Sequence, residues 1–270
     1  MPKVSVIMSV YNGERYLKEA IESILNQTFR DFEFIIVDDG STDKTPEILK
    51  EYAKKDKRIK IITNPKNIGL TKSLNKALKI AKGEFIARMD ADDISLPERL
   101  EKQVEFMKKN PEVGLLGTAY YEINQEGKII GKKIFPLTDN ELRKILIKYN
   151  PFFHSSVMIK KIALDKVGLY DESFPTAQDY DLWLRIAEHY KVANLNEFLM
   201  KRRYTKEMIS IKKENEQIFW AQKARIKAIQ RGQYPKWAFF YLLKPLLVSK
   251  MPFFLRKFLR KYLLRRKFYE

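Results

Sequence analysis

Four short apolar runs, spread over residues 4 to 89 and separated by segments of helical spacing, restrict this chain to a small set of folds. Val4 to Val10 is β-branched and apolar, and Leu17, Ala20, Ile21, Ile24 and Leu25 follow at spacings of three and four. The unit recurs. Phe32 to Val37 reads as a strand, Pro46 to Lys54 as a helix with Thr45 placed to cap it, and Ile59 to Thr63 as a strand. Thr71 to Lys82 then reads as a helix closed by Gly83, and Glu84 to Met89 as the next strand. Alternation with short connections predicts an α/β domain whose mostly parallel central sheet is flanked by helices on both faces. Ligands of such sheets sit beyond the carboxyl ends of the strands. Three polar clusters fall there: Tyr11-Asn12-Gly13-Glu14, the loop from Asp38 to Asp43, and the acidic stretch that begins at Asp90.

Asp90, Asp92 and Asp93 put three carboxylates into four residues, a density that repels itself in an apolar interior unless a cation or a set of donors is present. On extended backbone Asp90 and Asp92 project to one face and Asp93 to the other. Two hard oxygen ligands on one side suit Mg²⁺ or Mn²⁺, whose shells are completed by phosphates and water. The same residues also read as a solvated turn capping a helix that starts near Pro97. Neither G-x-G-x-x-G nor G-x-x-x-x-G-K-[ST] occurs, which disfavours a dinucleotide enzyme and a P-loop NTPase. A nucleotide can still be read by side chains: Asp39 can accept a ring N–H from uracil or thymine, and Tyr11 offers a face for stacking. An ordinary Asp/Gly/Ser turn explains the Asp38 to Asp43 loop equally well.

Val113 to Asn124 and Lys128 to Phe135 read as a hairpin, a small antiparallel extension of the sheet, and Asp139 to Lys148 as a helix. His154 lies in a polar loop entering a strand, a position more common for a structural hydrogen-bonder than for a catalyst. In "AQDYDLWLRIAEHY", Asp179 begins a helix, where it serves either as an N-cap or as a functional carboxylate, and Trp183 lies one turn further on. Cysteine is absent, which removes disulfides, Cys-ligated zinc and thiol nucleophiles from consideration.

Four stretches occurring in order, "VSVIMSVYNGERYLKEAIESILNQTF", "FIIVDDGSTD", "NIGLTKSLNKAL" and "GEFIARMDADDISLPERLEKQ", resemble the nucleotide-sugar domain of family 2 glycosyltransferases, which have the GT-A fold. The likeness covers roughly residues 3 to 205. It implies that Asp39 contacts the base of the donor with Tyr11 stacked on it, and that Asp90 lies near the ribose. It also implies that Asp92 ligates a divalent metal bridging the two phosphates, with Asn12, Asn67 and Arg88 in supporting nucleotide-binding positions. Asp179 matches the general base of an inverting transfer. His154, Trp183 and Arg203 fall where acceptor or phosphate contacts are expected, although Trp183 reads equally as a core residue. Near "KRRYTKEMIS" many relatives carry a histidine two residues after the arginine; here that position is Thr205, and Lys206 is the neighbouring cation. The implied activity moves a hexose-type sugar from a nucleotide diphosphate sugar, a uridine form above a thymidine one, to a saccharide or lipid-linked acceptor of the cell envelope.

The charge is unevenly distributed. Net charge is +18, yet Lys236 to Glu270 alone carries ten Lys or Arg against one acid. From Phe254 onward apolar and basic residues alternate at helical spacing, and no apolar run approaches the roughly twenty residues of a membrane span. We therefore expect residues 1–210 to form the GT-A domain. Residues 211–270 are expected to form a helical, basic amphipathic region, starting with a helix over Lys212 to Arg231, that holds the enzyme against anionic lipid at the cytoplasmic face of the membrane. Docking of that region on its own domain is the competing reading. A basic nucleic-acid-binding protein would explain the same charge, and a nucleotidyltransferase would share the sheet. The latter would carry a Gly-rich loop after the first strand, which "YNGERY" does not supply, and no nucleic-acid partner is expected.

Overall fold

The computed structural model describes residues 1–205 and 214–243. Lys206 and the basic segment from Phe254 lie outside the described residues. The expected units are present: β1 (Val4–Val10), α1 (Leu17–Leu25), β2 (Phe32–Asp38), α2 (Thr45–Lys55), β3 (Ile59–Thr63), α3 (Leu70–Ile80) and β4 (Phe85–Asp90). β1 and β2 are buried along their whole length, as continuous apolar runs in a parallel sheet covered on both faces must be. Strands β3, β2, β1 and β4 lie side by side and all parallel.

The second half completes the sheet. After β5 (Ile94–Ser95) come α4 (Arg99–Lys109), the hairpin β6 (Val113–Ile123) and β7 (Ile129–Lys133), and α5 (Asp139–Leu146). These are followed by β8 (Met158–Lys160), α6 (Lys161–Val167), α7 (Gln178–His189), β9 (Lys191–Arg203) and α8 (Glu214–Gln230). The strand order is β3-β2-β1-β4-β8-β6-β9-β5, with β7 beside β6. β8 runs antiparallel to both β4 and β6, so the sheet is mixed beyond β4. The sequence reading did not anticipate β9. That strand pairs in parallel with β6 through several register shifts, and it is only partly buried, so no clean two-residue alternation survives in it.

Helices α1, α2 and α4 pack on one face of the sheet around Val6, Phe34 and Met89. Helices α3, α5, α6, α7 and α8 pack on the other, around Ile7, Ile86 and Trp183. Two local expectations are corrected. Thr45 does not cap α2: its hydroxyl accepts from the backbone N–H of Gly13 at 2.9 Å, while Asp43 accepts from the Thr45 N–H at 3.0 Å. Gly83 does not close α3, which ends at Ile80. It is small because a Cβ there would lie 2.4 Å from the Ser5 backbone nitrogen.

Candidate active site

The loops that leave β1, β2 and β3 are bound to one another by the polar residues the sequence puts there. Asn12, at φ 52°, accepts from the Thr42 N–H at 2.9 Å, and its own N–H donates to Ser41 Oγ at 3.0 Å. Gly40 has φ 74° and packs so closely that a Cβ would fall 2.5 Å from the Lys66 carbonyl carbon. Asn67, next in the chain, is exposed beside it. Asp39 is 2% exposed. Its Oδ1 accepts from Asn64 Nδ2 at 2.8 Å and from the Ile68 N–H at 2.9 Å, and its Oδ2 accepts from the Gly69 N–H at 2.9 Å. A carboxylate has about four acceptor positions, so one on Oδ2 remains. Tyr11 stands 49% exposed at the same edge.

Two strands away, β4 delivers the acidic turn. The pairing of Ser9 with Asp90 and of Val10 with Asp38 puts the two acidic loops about 10 Å apart along the sheet edge. Strand alternation sends Arg88 and Asp90 to the face shared with α7. Arg88 is 1% exposed and forms an ion pair with Asp90, yet its Nε and Nη1 have no hydrogen-bond partner of good geometry. Burial disfavours its charge, but Asp90, Tyr170 and Asp93 more than offset this and raise its pKa. Arg88 is therefore a buried counter-charge beside the acidic turn.

Asp92 is half-buried. Burial first, and then the charge of Asp90, push its pKa up to about 6. Asp93 is almost fully buried and turned away from the cleft, where its Oδ1 accepts from the Arg203 N–H at 2.9 Å. The Arg203 guanidinium is buried as well. It donates to the Asp92 carbonyl at 3.0 Å and the Gln125 carbonyl at 3.0 Å, pairs with Glu19, and lies 4.4 Å from the centre of the Tyr16 ring. Its donors brace the acidic turn, so a phosphate would have to displace them; the expected phosphate contact is corrected to this supporting position.

Asp179 approaches from the other side, in the first turn of α7. Neither Asp179 nor Asp181 is the cap: that position is Ala177, in left-handed conformation at φ 57°, and Asp181 instead pairs with Arg185. Asn150 donates to Asp179 Oδ2 at 2.9 Å. Burial raises the Asp179 pKa, opposed by the Tyr180 N–H, the charge of Arg88 and Asn150. Arg88 pairs with Asp90, and its charge also reaches Asp92 and Asp179. His154 shares a hydrogen bond with Tyr170 OH at 2.8 Å, and burial, reinforced by Arg88, keeps its pKa well below the usual histidine range. A neutral imidazole is the result. Trp183 is fully buried, edge-on to His154 with ring centres 5.9 Å apart, so it cannot lie against an acceptor sugar and the core reading holds.

Sequence reasoning passed over Asn64 and Asn150, which orient Asp39 and Asp179. Each stands beside a proline at the mouth of a polar loop, and that polar step after an apolar run was the available signal. Among the described residues no group of three or more His, Cys, Asp or Glu side chains could hold a metal alone. The partly exposed Asp90 and Asp92 fit a hard cation that takes its other ligands from phosphates and water. A concavity of about 540 Å³ lined by Tyr121, Phe198 and Leu199 lies apart from these carboxylates.

Residues 5–172 match the family model described as glycosyl transferase family 2. An uncharacterized glycosyltransferase, MJ1057, of Methanocaldococcus jannaschii is 48% identical over 207 residues, spanning 75% of this chain and 71% of that one. WfgD of Escherichia coli, a UDP-Glc:alpha-D-GlcNAc-diphosphoundecaprenol beta-1,3-glucosyltransferase, is 36% identical over 197 residues, 72% of this chain and 73% of its own. Among solved structures, the mannosyltransferase PcManGT of Pyrobaculum calidifontis, in complex with GDP-Man and Mn²⁺, superposes with a TM-score of 0.69 at 20% identity. That superposition covers 92% of this chain and 70% of that one, and at this identity it speaks for the GT-A fold alone.

Proposed function

The chain belongs to the family 2 glycosyltransferases, and from that premise we propose that it is an inverting transferase using a nucleotide diphosphate sugar and a divalent metal. The observation that carries the reading is that buried Arg88 is electrostatically linked to three carboxylates, Asp90, Asp92 and Asp179; in this proposal Asp90 and Asp92 serve the donor and Asp179 the acceptor. Asp39 has one acceptor position left for a base N–H, and the exposed ring of Tyr11 is available to stack on that base. Asp90 faces the ribose and Asn12 and Asn67 border the base. Asp92 would hold Mg²⁺ or Mn²⁺, which when bound neutralises charge on the diphosphate.

Asp179 accepts the proton of the acceptor hydroxyl while that oxygen attacks the anomeric carbon from the face opposite the diphosphate. The bond from that carbon to the phosphate oxygen breaks, its electron pair leaves with the nucleotide, and the configuration inverts. A base working near neutral pH needs a raised carboxyl pKa, and burial of Asp179 supplies it. His154, neutral and hydrogen-bonded to Tyr170, lines the acceptor side without serving as the base.

A UDP-sugar is the proposed donor and a saccharide on a lipid carrier the proposed acceptor, in synthesis of an envelope polysaccharide. WfgD, by its name, uses UDP-Glc and a diphosphoundecaprenol-linked sugar, which supports both proposals. The Mn²⁺ of PcManGT supports the metal, while its GDP-Man makes the nucleotide the point to test first. Thermal stabilisation by a panel of nucleotide sugars with and without Mn²⁺ should single out one donor, with a metal-dependent shift. Asp179→Asn should lower transfer at least a hundredfold and leave that donor shift intact; loss of both together would mean Asp179 only supports the fold. Asp92→Ala should remove the metal dependence of donor binding, and metal-dependent binding at full strength in that variant refutes the assignment.

A further inference from the structure

The surface that follows α8 is built inside out. Within residues 236–243, Ala238 and Leu242 point inward, 1% and 7% exposed, with Ala238 packed against Ile147 and Ile229. The outward side presents Trp237 at 60%, Phe240 at 71% and Leu243 at 52% exposure, three residues apart and so on one helical face. Phe239 on the same segment is 43% exposed. A chain meant only for water does not gather two aromatics and a leucine on one short exposed face.

The charge along that segment is predominantly basic, although Arg231 at its start pairs with Glu188 at 3.0 Å. From Arg231 to Leu243 there is no acidic residue, while Arg231, Lys236 and Lys148 border the segment, Lys148 with its Nζ 5.0 Å from the centre of the Tyr241 ring. Beyond Leu243 the sequence continues with nine Lys or Arg and a single acid. Tryptophan and phenylalanine over a basic rim match an anionic lipid headgroup layer, which takes the rings at its apolar boundary and the cations at its surface.

The same face is joined to the acceptor side of the cleft through buried polar contacts. Gln222 donates to the Leu242 carbonyl at 2.6 Å and accepts from Arg225 at 2.8 Å. Arg225 donates to Tyr180 OH at 3.1 Å and to the Lys148 carbonyl at 2.8 Å. Tyr180 follows Asp179, and Lys148 lies two residues before the Asn150 that holds Asp179.

We propose that Trp237, Phe240 and Leu243 form the membrane-docking face of the enzyme, inserting at the surface of an anionic bilayer and turning the Asp179 side of the cleft toward it. The purpose assigned to this contact rests on the lipid-linked acceptor proposed above; the contact itself does not. The test is flotation of the full-length chain with vesicles of phosphatidylcholine alone or mixed equally with phosphatidylglycerol, at low and high salt. The wild-type chain should float with the anionic vesicles and keep part of that binding at high salt, because apolar insertion is not screened. Trp237→Ser/Phe240→Ser should bind at least about tenfold more weakly. Brominated lipid should quench wild-type fluorescence, and Trp237→Phe, which keeps an apolar ring and removes the most exposed of the three tryptophans, should lose most of that quench while still floating.

Undiminished flotation of the double variant overturns the proposal, because the basic segment beyond Leu243 would then suffice. So does complete loss of wild-type binding in salt, or a lipid-free wild-type dimer that the double variant dissolves, since a second copy would then cover the face. Metal-dependent hydrolysis of the donor by both chains, measured without vesicles, keeps the outcomes separate: its absence counts against the catalytic reading and leaves the flotation result standing.

Discussion

Asp179, the proposed general base, is subject to opposing influences on one carboxyl. Burial favours the protonated form, and the Tyr180 N–H, the charge of Arg88 and the amide of Asn150 favour the ionised one. A general base works deprotonated, so in the proposed role turnover should fall as pH drops through the Asp179 pKa, which is raised above the ordinary carboxylate value. Asn150→Ala removes a donor that stabilises the charged form, so the pKa rises further and the acidic limb of kcat/KM moves to higher pH. A hydrogen bond to a charged group is worth about 1.5 kcal/mol or more, which corresponds to a displacement of roughly one pH unit. The pH–rate profile measures it directly. A limb that stays in place or moves to lower pH would show that Asn150 does not act on the base.

At the scale of elements, the start of α7, two residues before the proposed base, carries a conformational cost. Ala177 is one of two non-glycine residues with positive φ among the described residues; the other is Asn12, in the loop after β1. Alanine in the left-handed region costs about 1–2 kcal/mol, whereas glycine adopts it freely but loses more chain entropy on folding. Ala177→Gly should therefore stabilise the protein by about 0.5–1 kcal/mol, a rise of roughly 1–4 °C in melting temperature. The same variant should lower kcat if the strain holds Asp179 in register. A lower melting temperature would show that the Ala177 methyl is held by packing that repays its conformation.

Elements of this kind divide sharply in how well they can be read. Strands β1 to β4 and their helices were legible because β1 and β2 are uninterrupted apolar runs and α1 and α3 keep clear three-and-four spacing. The acidic loops were legible as polar steps at strand ends, and Asp179 as the first-turn acid of a helix. β9 was not, because its bulges break the alternation. The burial of Arg88 and Arg203 was not legible either, and that of Trp183 only as one of two readings: a charged or aromatic side chain near a motif looks the same in sequence whether it faces ligand or core. Only the register of β4 against β1, and the packing of α7 beneath it, decide that.

For the molecule as a whole, a boundary at residue 210 cuts through contacts that the fold uses. Ala224 and Ala228 of α8 are fully buried in the same core as Leu182 and Trp183 of α7. Arg225, 6% exposed, supplies the donors that satisfy the Lys148 carbonyl and reach Tyr180 OH. A chain ending at residue 210 loses these partners and uncovers apolar surface directly beneath the turn that carries Asp179. The loss should be on the order of 3 kcal/mol or more, a fall of roughly 6–12 °C in melting temperature with new binding of an apolar dye. A chain ending at Leu243 keeps α8 and the residues that pack on it, and should melt with the full-length protein. Equal melting of all three chains would mean that α8 is an appendage and that the transferase core closes without it.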